Sequence, residues 1–235
     1  TEIYTLSLHD ALPILLMEPA MCNQGAIAPV PGYLEGALAA CRRHGALLIF
    51  DEVITGFRLA RGGAQERFGV TPDLTLMAKA IANGFPVAAI AGRADLLDLF
   101  ADGVLHGGTF NAQPIAMAAL VATQKLLTPA HYQRSSAHGE ALQDGIRTIL
   151  AEAGIKAQVA GFPLMFHVAL GLDAPAQTYR DGARSDKVAY GRFAHALLRR
   201  GVRVLERGAW FVSSEHDGAI VDATLDAVRG AVTEI

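Results

Sequence analysis

Cysteine is scarce in this chain of 235 residues: Cys22 and Cys41 are the only two, and neither stands in a Cys-x-x-Cys pair. Two isolated thiols build neither a disulfide framework nor a paired-thiolate metal site, and a reducing, cytoplasmic setting is the simplest expectation. Charge is thin as well. Asp, Glu, Lys and Arg make up 18% of the chain, against about 25% in an average soluble domain, so extensive burial is expected, some of it at a subunit interface. With a net charge of −3 and a pI near 6.2, neither a basic stripe nor a polyacidic tail is present, and nucleic acid is not expected as a partner. Long apolar runs are missing too. The composition is 51% hydrophobic, yet no run approaches the ~20 residues of a membrane span, so no membrane partner is expected. The first residues lack the basic, apolar and small-residue order of a signal peptide. His-Glu-x-x-His and Gly-x-Ser-x-Gly are absent, which removes the usual metalloprotease and nucleophile-elbow signatures.

What the chain does have is Leu47-Leu48-Ile49-Phe50-Asp51-Glu52-Val53 and, further on, Pro72-Asp73-Leu74-Thr75-Leu76-Met77-Ala78-Lys79. An apolar run opened by Gly45 and closed by two acids predicts a central α/β strand buried on both faces. Its acids then stand at the C-terminal edge, where open α/β sheets bind ligands. Lys79 follows Asp51 by 28 positions, room for one crossover and a second strand, so neighbouring parallel strands aim an acid and an amine into one crevice. Such a pair is either a plain ion pair or the two anchors of a cofactor. At ~4 Å and an effective dielectric near 20 the pair is worth roughly 4 kcal/mol before desolvation. Pyridoxal phosphate needs both groups: a lysine amine for its Schiff base and an acid to keep its ring nitrogen protonated.

The stretch Phe50-Asp51-Glu52-Val53-Ile54-Thr55-Gly56-Phe57-Arg58, then Phe68-Gly69-Val70-Thr71-Pro72-Asp73-Leu74 and Lys79, resembles the class III pyridoxal-phosphate aminotransferases of fold type I. Within them it is most similar to the glutamate-1-semialdehyde aminomutase-like branch. The resemblance implies an α/β fold: the C-terminal part of a fold type I large domain followed by a small α+β C-terminal domain. It also implies Asp51 on the pyridine nitrogen, Val53 packed against the ring, and Lys79 as the Schiff-base lysine and catalytic acid–base. A turn, His106-Gly107-Gly108-Thr109-Phe110-Asn111, precedes a helix. Glycines there free backbone N–H groups for an anion, although a threonine in that place also serves as a plain helix cap. In the family the matching residue, Thr109, reaches across a homodimer interface to the phosphate of the neighbouring cofactor. The implied activity is transfer of an amino group between an amine or amino acid and a keto acid or aldehyde. The alternative is the isomerase glutamate-1-semialdehyde 2,1-aminomutase. That enzyme carries an acid in a Phe-Glu-Ala-Gly-Phe-like segment, whereas this chain reads Arg207-Gly208-Ala209-Trp210-Phe211. Arg207 there reads either as a partner for a substrate carboxylate or as a solvated turn residue.

Residues 1–14 resemble translated sequencing-adapter sequence and are expected to be foreign to the protein. Residues 15–128 then form the remnant of the large domain and 129–235 the small one. The N-terminal half, which normally supplies a phosphate-binding loop and a stacking aromatic residue, is expected to be missing, and the chain alone to hold cofactor poorly and lack activity. Leu15–Glu18 reads as a strand ended by Pro19, with Glu18 either near the cofactor or a solvent carboxylate. Pro31 opens a helix with Leu34, Leu38 and Cys41 on its apolar face. Between Ile54 and Thr71 a polar, glycine-containing excursion carries Arg58 and Arg61, which read as lid residues or surface charges. Further strands are expected at Leu74–Met77, Val87–Ala91, Ala157–Val159, Leu164–Leu170, Val202–Leu205 and Phe211–Ser213. Helices are expected at Gln113–Leu127, Pro129–Glu152 and Ser185–Arg200, with a last one capped by Asp217 and striped by Leu225, Val228 and Val232.

One other chemistry fits Leu47–Glu52: the Walker B strand of a nucleoside triphosphatase. It needs a Gly-x-x-x-x-Gly-Lys-[Ser/Thr] loop, and none is present. His106, beside a glycine turn, and His167, inside an apolar strand, read as structural.

Overall fold

Alternation along residues 47–52 sets the first sheet. Leu48, Phe50 and Glu52 are buried while Leu47, Ile49 and Asp51 are half-exposed, the two-residue period of a strand with one face packed. The computed structural model describes residues 13–235, which form two compact units. In the first unit, β1 (Ile14–Met17), α1 (Tyr33–Arg43), β2 (Leu47–Glu52), α2 (Gly63–Phe68), β3 (Leu74–Met77), β4 (Ala89–Gly92), a one-turn α3 (Ala94–Leu97) and α4 (Pro114–Leu126) follow in order. The sheet order is β1-β2-β3-β4, with the first three strands parallel and β4 antiparallel to β3. Leu34 and Cys41 of α1 pack with Leu48, Phe50 and Val70, and Leu38 lies partly buried against them, as the spacing of four and three requires.

The opposite face departs from expectation. Both faces of β2 were expected to be buried, yet only the α1 side is. By register Ile14 and Leu16 share the other face with Leu47 and Ile49, and they are 58% and 55% exposed. Among the described residues the helix α1 covers one side of the sheet and no core cluster forms on the other. The excursion expected between Ile54 and Thr71 also contains an element, α2, which the glycines flanking it concealed.

The second unit comprises residues 20–28, 57–61 and 125–235, so its grouping in space does not follow a single cut in the sequence. Here α5 (Pro129–Glu152) starts with Thr128 accepting from the His131 N–H and Pro129 in the first turn, where a missing N–H costs nothing. The hairpin β5 (Ala157–Phe162) and β6 (Met165–Leu170) follows, then a one-turn α6 (Tyr179–Gly182), α7 (Lys187–Arg199), β7 (Ala209–Phe211) and α8 (Gly218–Ala231). The sheet is antiparallel, in the order β5-β6-β7. Ile146, Phe166, Phe193, Leu197 and Val228 form the centre of its core. The Trp210 indole donates to the Tyr190 hydroxyl at 3.0 Å, so the buried ring leaves no orphan N–H. Asp217 caps α8 by accepting from the Ile220 N–H at 2.9 Å, as expected. Val202–Leu205 does not form the expected strand. Val202 and Val204 pack against the core from an irregular segment, and the third strand begins instead at Ala209, after the turn at Gly208.

Candidate functional site

The parallel register builds the site at one sheet edge. Asp51 pairs with Leu76 and Glu52 with Met77, so β2 ends in its two acids beside the end of β3, and Lys79 follows β3 by two residues. Asp51 is half-buried, and its Oδ1 accepts the Val53 N–H at 3.0 Å. Lys79 is exposed and opens a 3₁₀ turn, Lys79–Ala82, with φ of 49°. A side chain bearing a Cβ is uncommon in that left-handed region, and such residues concentrate at functional sites. Asp51, Val53 and Lys79 therefore share one edge, and no ion pair joins Asp51 to Lys79 among the described residues. The plain ion-pair reading required that contact. Thr109 lies elsewhere in the unit, exposed and in an irregular segment ahead of α4. It does not cap that helix: Gln113 does, its Oε1 accepting from the Ala116 N–H at 2.7 Å.

Beneath this edge lies a network that the motifs alone do not reveal. Glu52 is 1% exposed. Its Oε2 accepts from the Thr55 hydroxyl at 2.9 Å and the Ala64 N–H at 2.5 Å, and its Oε1 from the Gln65 N–H at 3.3 Å and side-chain amide at 3.1 Å. A carboxylate buried without such donors would be costly. The signal was present in the alternation: of two consecutive acids on a strand, one must face the packed side.

The remaining residues of interest in the sequence also find places. Arg58 is not a surface charge. Its guanidinium lies over the Phe211 ring, 4.8 Å from the centroid, and its Nε is buried without a hydrogen-bond partner among the described residues. Burial holds its pKa below the ordinary arginine value. Arg207 donates to Asn23 Oδ1 at 2.9 Å, while its carbonyl lies 2.7 Å from His167 Nε2. Burial lowers the His167 pKa more than that carbonyl raises it, so the ring is neutral near pH 7 and its Nε2–H donates. His106 stacks on Phe100 with centroids 4.6 Å apart. No metal-binding cluster of His, Cys, Asp or Glu occurs among the described residues.

Residues 3–231 match the family model for class-III aminotransferases. The chain belongs to that family. This class-III aminotransferase chain is 39% identical over 222 residues to the glutamate-1-semialdehyde 2,1-aminomutase of Sorangium cellulosum, covering 93% of itself and 51% of that protein. Among solved structures it is similar to an omega-transaminase from Sphaerobacter thermophilus, with a TM-score of 0.88, 36% identity, and 93% and 51% of the two chains covered. It is similar as well to a β-phenylalanine aminotransferase from Variovorax paradoxus, with a TM-score of 0.84, 30% identity, and 92% and 51% covered. The chain thus spans about half the length of the curated relatives it matches. Class-III aminotransferases depend on pyridoxal phosphate, and the fold is that of the C-terminal part of such an enzyme. The family match begins at residue 3. The expectation that residues 1–14 are foreign falls almost wholly on residues outside those described, while Ile14 itself opens β1.

The donor set at the sheet edge fits that cofactor. Asp51 has one oxygen engaged by Val53 and its other oxygen without a partner among the described residues. The Lys79 amine has no partner among them either, and the half-exposed side chains of Ile49, Leu74 and Leu76 provide an apolar surface beside them.

Proposed function

We propose that the protein is a pyridoxal-phosphate-dependent aminotransferase, moving an amino group between an amine or amino acid and a keto acid or aldehyde, with Asp51, Val53, Lys79 and Thr109 as its cofactor-holding residues. The observation that carries this reading is an acid and an amine that, among the described residues, form no ion pair and stand at the ends of neighbouring parallel strands. When bound, the cofactor supplies an electron-withdrawing ring that carries the amino group between substrates. Asp51 Oδ2 holds a proton on the ring nitrogen, and the Val53 N–H fixes the carboxylate by its other oxygen. The Val53 side chain would pack against the bound ring. Lys79 Nζ anchors the cofactor and then takes and returns a proton at the substrate carbon, the work of a positioned general base. The left-handed backbone at Lys79 supports this role, because it presents the amine from a turn just past the strand end.

Thr109 contributes a hydroxyl to the phosphate bound by a second copy of the chain, and the protein works as a homodimer. Leu105 and Phe110, 95% and 83% exposed on either side of Thr109, support an interface there, since side chains that large seldom stay in water together. A second reading, glutamate-1-semialdehyde 2,1-aminomutase, is favoured by the names of the curated relatives, but the segment Arg207–Phe211 lacks the expected acid.

Lys79→Ala and Asp51→Asn in the full-length enzyme test the assignment. We expect Lys79→Ala to abolish turnover and the visible absorption of lysine-bound cofactor. We expect Asp51→Asn to keep cofactor while lowering turnover by at least ~100-fold. Near-normal rates in either variant would refute the proposal. Assay against glutamate-1-semialdehyde and a panel of amine donors decides between transaminase and aminomutase.

A further inference from the structure

The buried network under the sheet edge has a feature beyond satisfying Glu52. Gln65 Nε2 donates twice, to Glu52 Oε1 at 3.1 Å and to the Thr75 hydroxyl at 2.9 Å. Glu52 belongs to β2, the strand of Asp51, and Thr75 to β3, the strand that leads to Lys79. One amide group thus spans the two strands that end in the candidate acid and amine. Its orientation is fixed by chemistry: flipped, the carboxamide would point its oxygen at the Glu52 carboxylate. Thr75 pairs with Phe50 in register and is 3% exposed, so it shares the packed face with Glu52, opposite Asp51.

We propose that Glu52, Gln65 and Thr75 form a staple that fixes the strand ends against each other, and that Gln65 and Thr75 are thereby positioning residues for Asp51 and Lys79; this rests on the function proposed above. Parallel pairing is slightly weaker per residue than antiparallel pairing, and a one-residue slip moves one strand about 3.3 Å along the other and reverses its faces. Either change would separate the acid from the amine. The crossover makes the same demand from its own side. Gly63 has φ of 70°, and a Cβ there would run into the Glu52 carboxylate, so the chain entering α2 is bound directly onto the acid. At Gly56 a Cβ would stand 2.7 Å from the Glu52 carbonyl oxygen, to which the Gly56 N–H donates at 2.9 Å. The turn after β2 and the start of α2 thus both close on one residue, and Gln65 extends that closure to β3.

The test uses the full-length holoenzyme with Thr75→Val, Gln65→Met and the conservative Thr75→Ser. Thr75→Val keeps the shape and removes the acceptor, whereas Thr75→Ser keeps the hydroxyl. We expect Thr75→Val and Gln65→Met to lower kcat about tenfold, the scale of a small misplacement of catalytic groups. KM should stay within about twofold, and the pH midpoint of the cofactor's visible band should move, while Thr75→Ser restores both. Variants with a lower Tm but a wild-type pH midpoint and kcat would show the staple to be structural only and would overturn the proposal. If Gln65→Met does not fold, the Thr75 pair decides alone. Lys79→Ala run beside them separates the two failures. Loss of the band there with no effect at Thr75 sinks the staple only, whereas an unchanged band in Lys79→Ala sinks the function itself.

Discussion

Asp51 and Glu52 are neighbours in sequence with opposite surroundings, because successive side chains of a strand leave on opposite faces. The first has one oxygen without a partner among the described residues at a half-exposed edge, and the second spends both oxygens on the loop that crosses behind it. Arg58, six residues beyond Glu52, is less fully satisfied. Its Nε is buried without a hydrogen-bond partner among the described residues, and its guanidinium packs on the Phe211 ring. Long cationic side chains often stabilise through their stems more than through their charge, and a buried charge with no ion pair among the described residues carries a desolvation cost. Arg58→Met should therefore leave Tm unchanged or raise it slightly. Arg58→Ala, which removes the packing as well, should lower stability by about 1–2 kcal/mol. Thermal unfolding of both variants checks this, and equal losses would show that the charge itself stabilises.

Asp73 does for the sheet what no hydrophobic contact can do, since it ties backbone to side chain across three segments. Its carboxylate accepts from the Leu48 N–H at 2.8 Å and from Arg93 at 2.9 Å, joining β2, the start of β3 and the chain after β4. Burial alone would raise its pKa, but the Leu48 N–H and the Arg93 guanidinium together bring it below the ordinary carboxylate value. A carboxyl whose folded pKa is lowered stabilises at pH above its unfolded value, about 3.9, and that contribution is lost as pH falls through the folded pKa. Asp73→Asn should accordingly cost about 1 kcal/mol near neutral pH, with the gap to wild type closing as the pH falls through the lowered folded pKa. A constant gap across the range in urea unfolding would argue that the amide disturbs packing instead. Elements of this kind were legible where a period was long and clean. The stripe Leu34, Leu38, Cys41 gave α1, and Asp51 with Lys79 gave the sheet edge, because polar residues that end an apolar strand mark where the strand leaves the core. Val202–Leu205 failed as a strand because an apolar run is satisfied equally by packing without pairing, and periodicity does not separate the two. The short helix α2 was hidden by Gly62 and Gly63, of which Gly63 lets the backbone approach Glu52. Gln65 had no local signal at all: its partners lie 13 and 10 residues away.

At the scale of the whole chain, the low charge content and the half-exposed sheet face belong together. A sheet of parallel strands is normally covered on both sides, yet Ile14 and Leu16 stand open beside Leu47 and Ile49 on the face that ends at Asp51. Among the described residues β1 is also the outer strand of its sheet, and an apolar outer strand is a template for pairing with other chains. A second set of exposed apolar side chains is Leu105, Phe110 and, on α4, Ile115. The two predict different behaviour. If the open sheet face dominates, the purified 235-residue chain should self-associate without a fixed stoichiometry at micromolar concentration, and Ile14→Lys with Leu16→Lys should reduce that association. If the surface around Thr109 dominates, association should stop at a dimer, and Leu105→Ser with Phe110→Ser should return it to monomer. Because covering the sheet face requires strands or helices and not merely a second copy of the same open surface, we expect the first behaviour for this chain alone. Sedimentation velocity across a concentration series reads the outcome, and a single sharp monomer boundary throughout would contradict both surfaces at once.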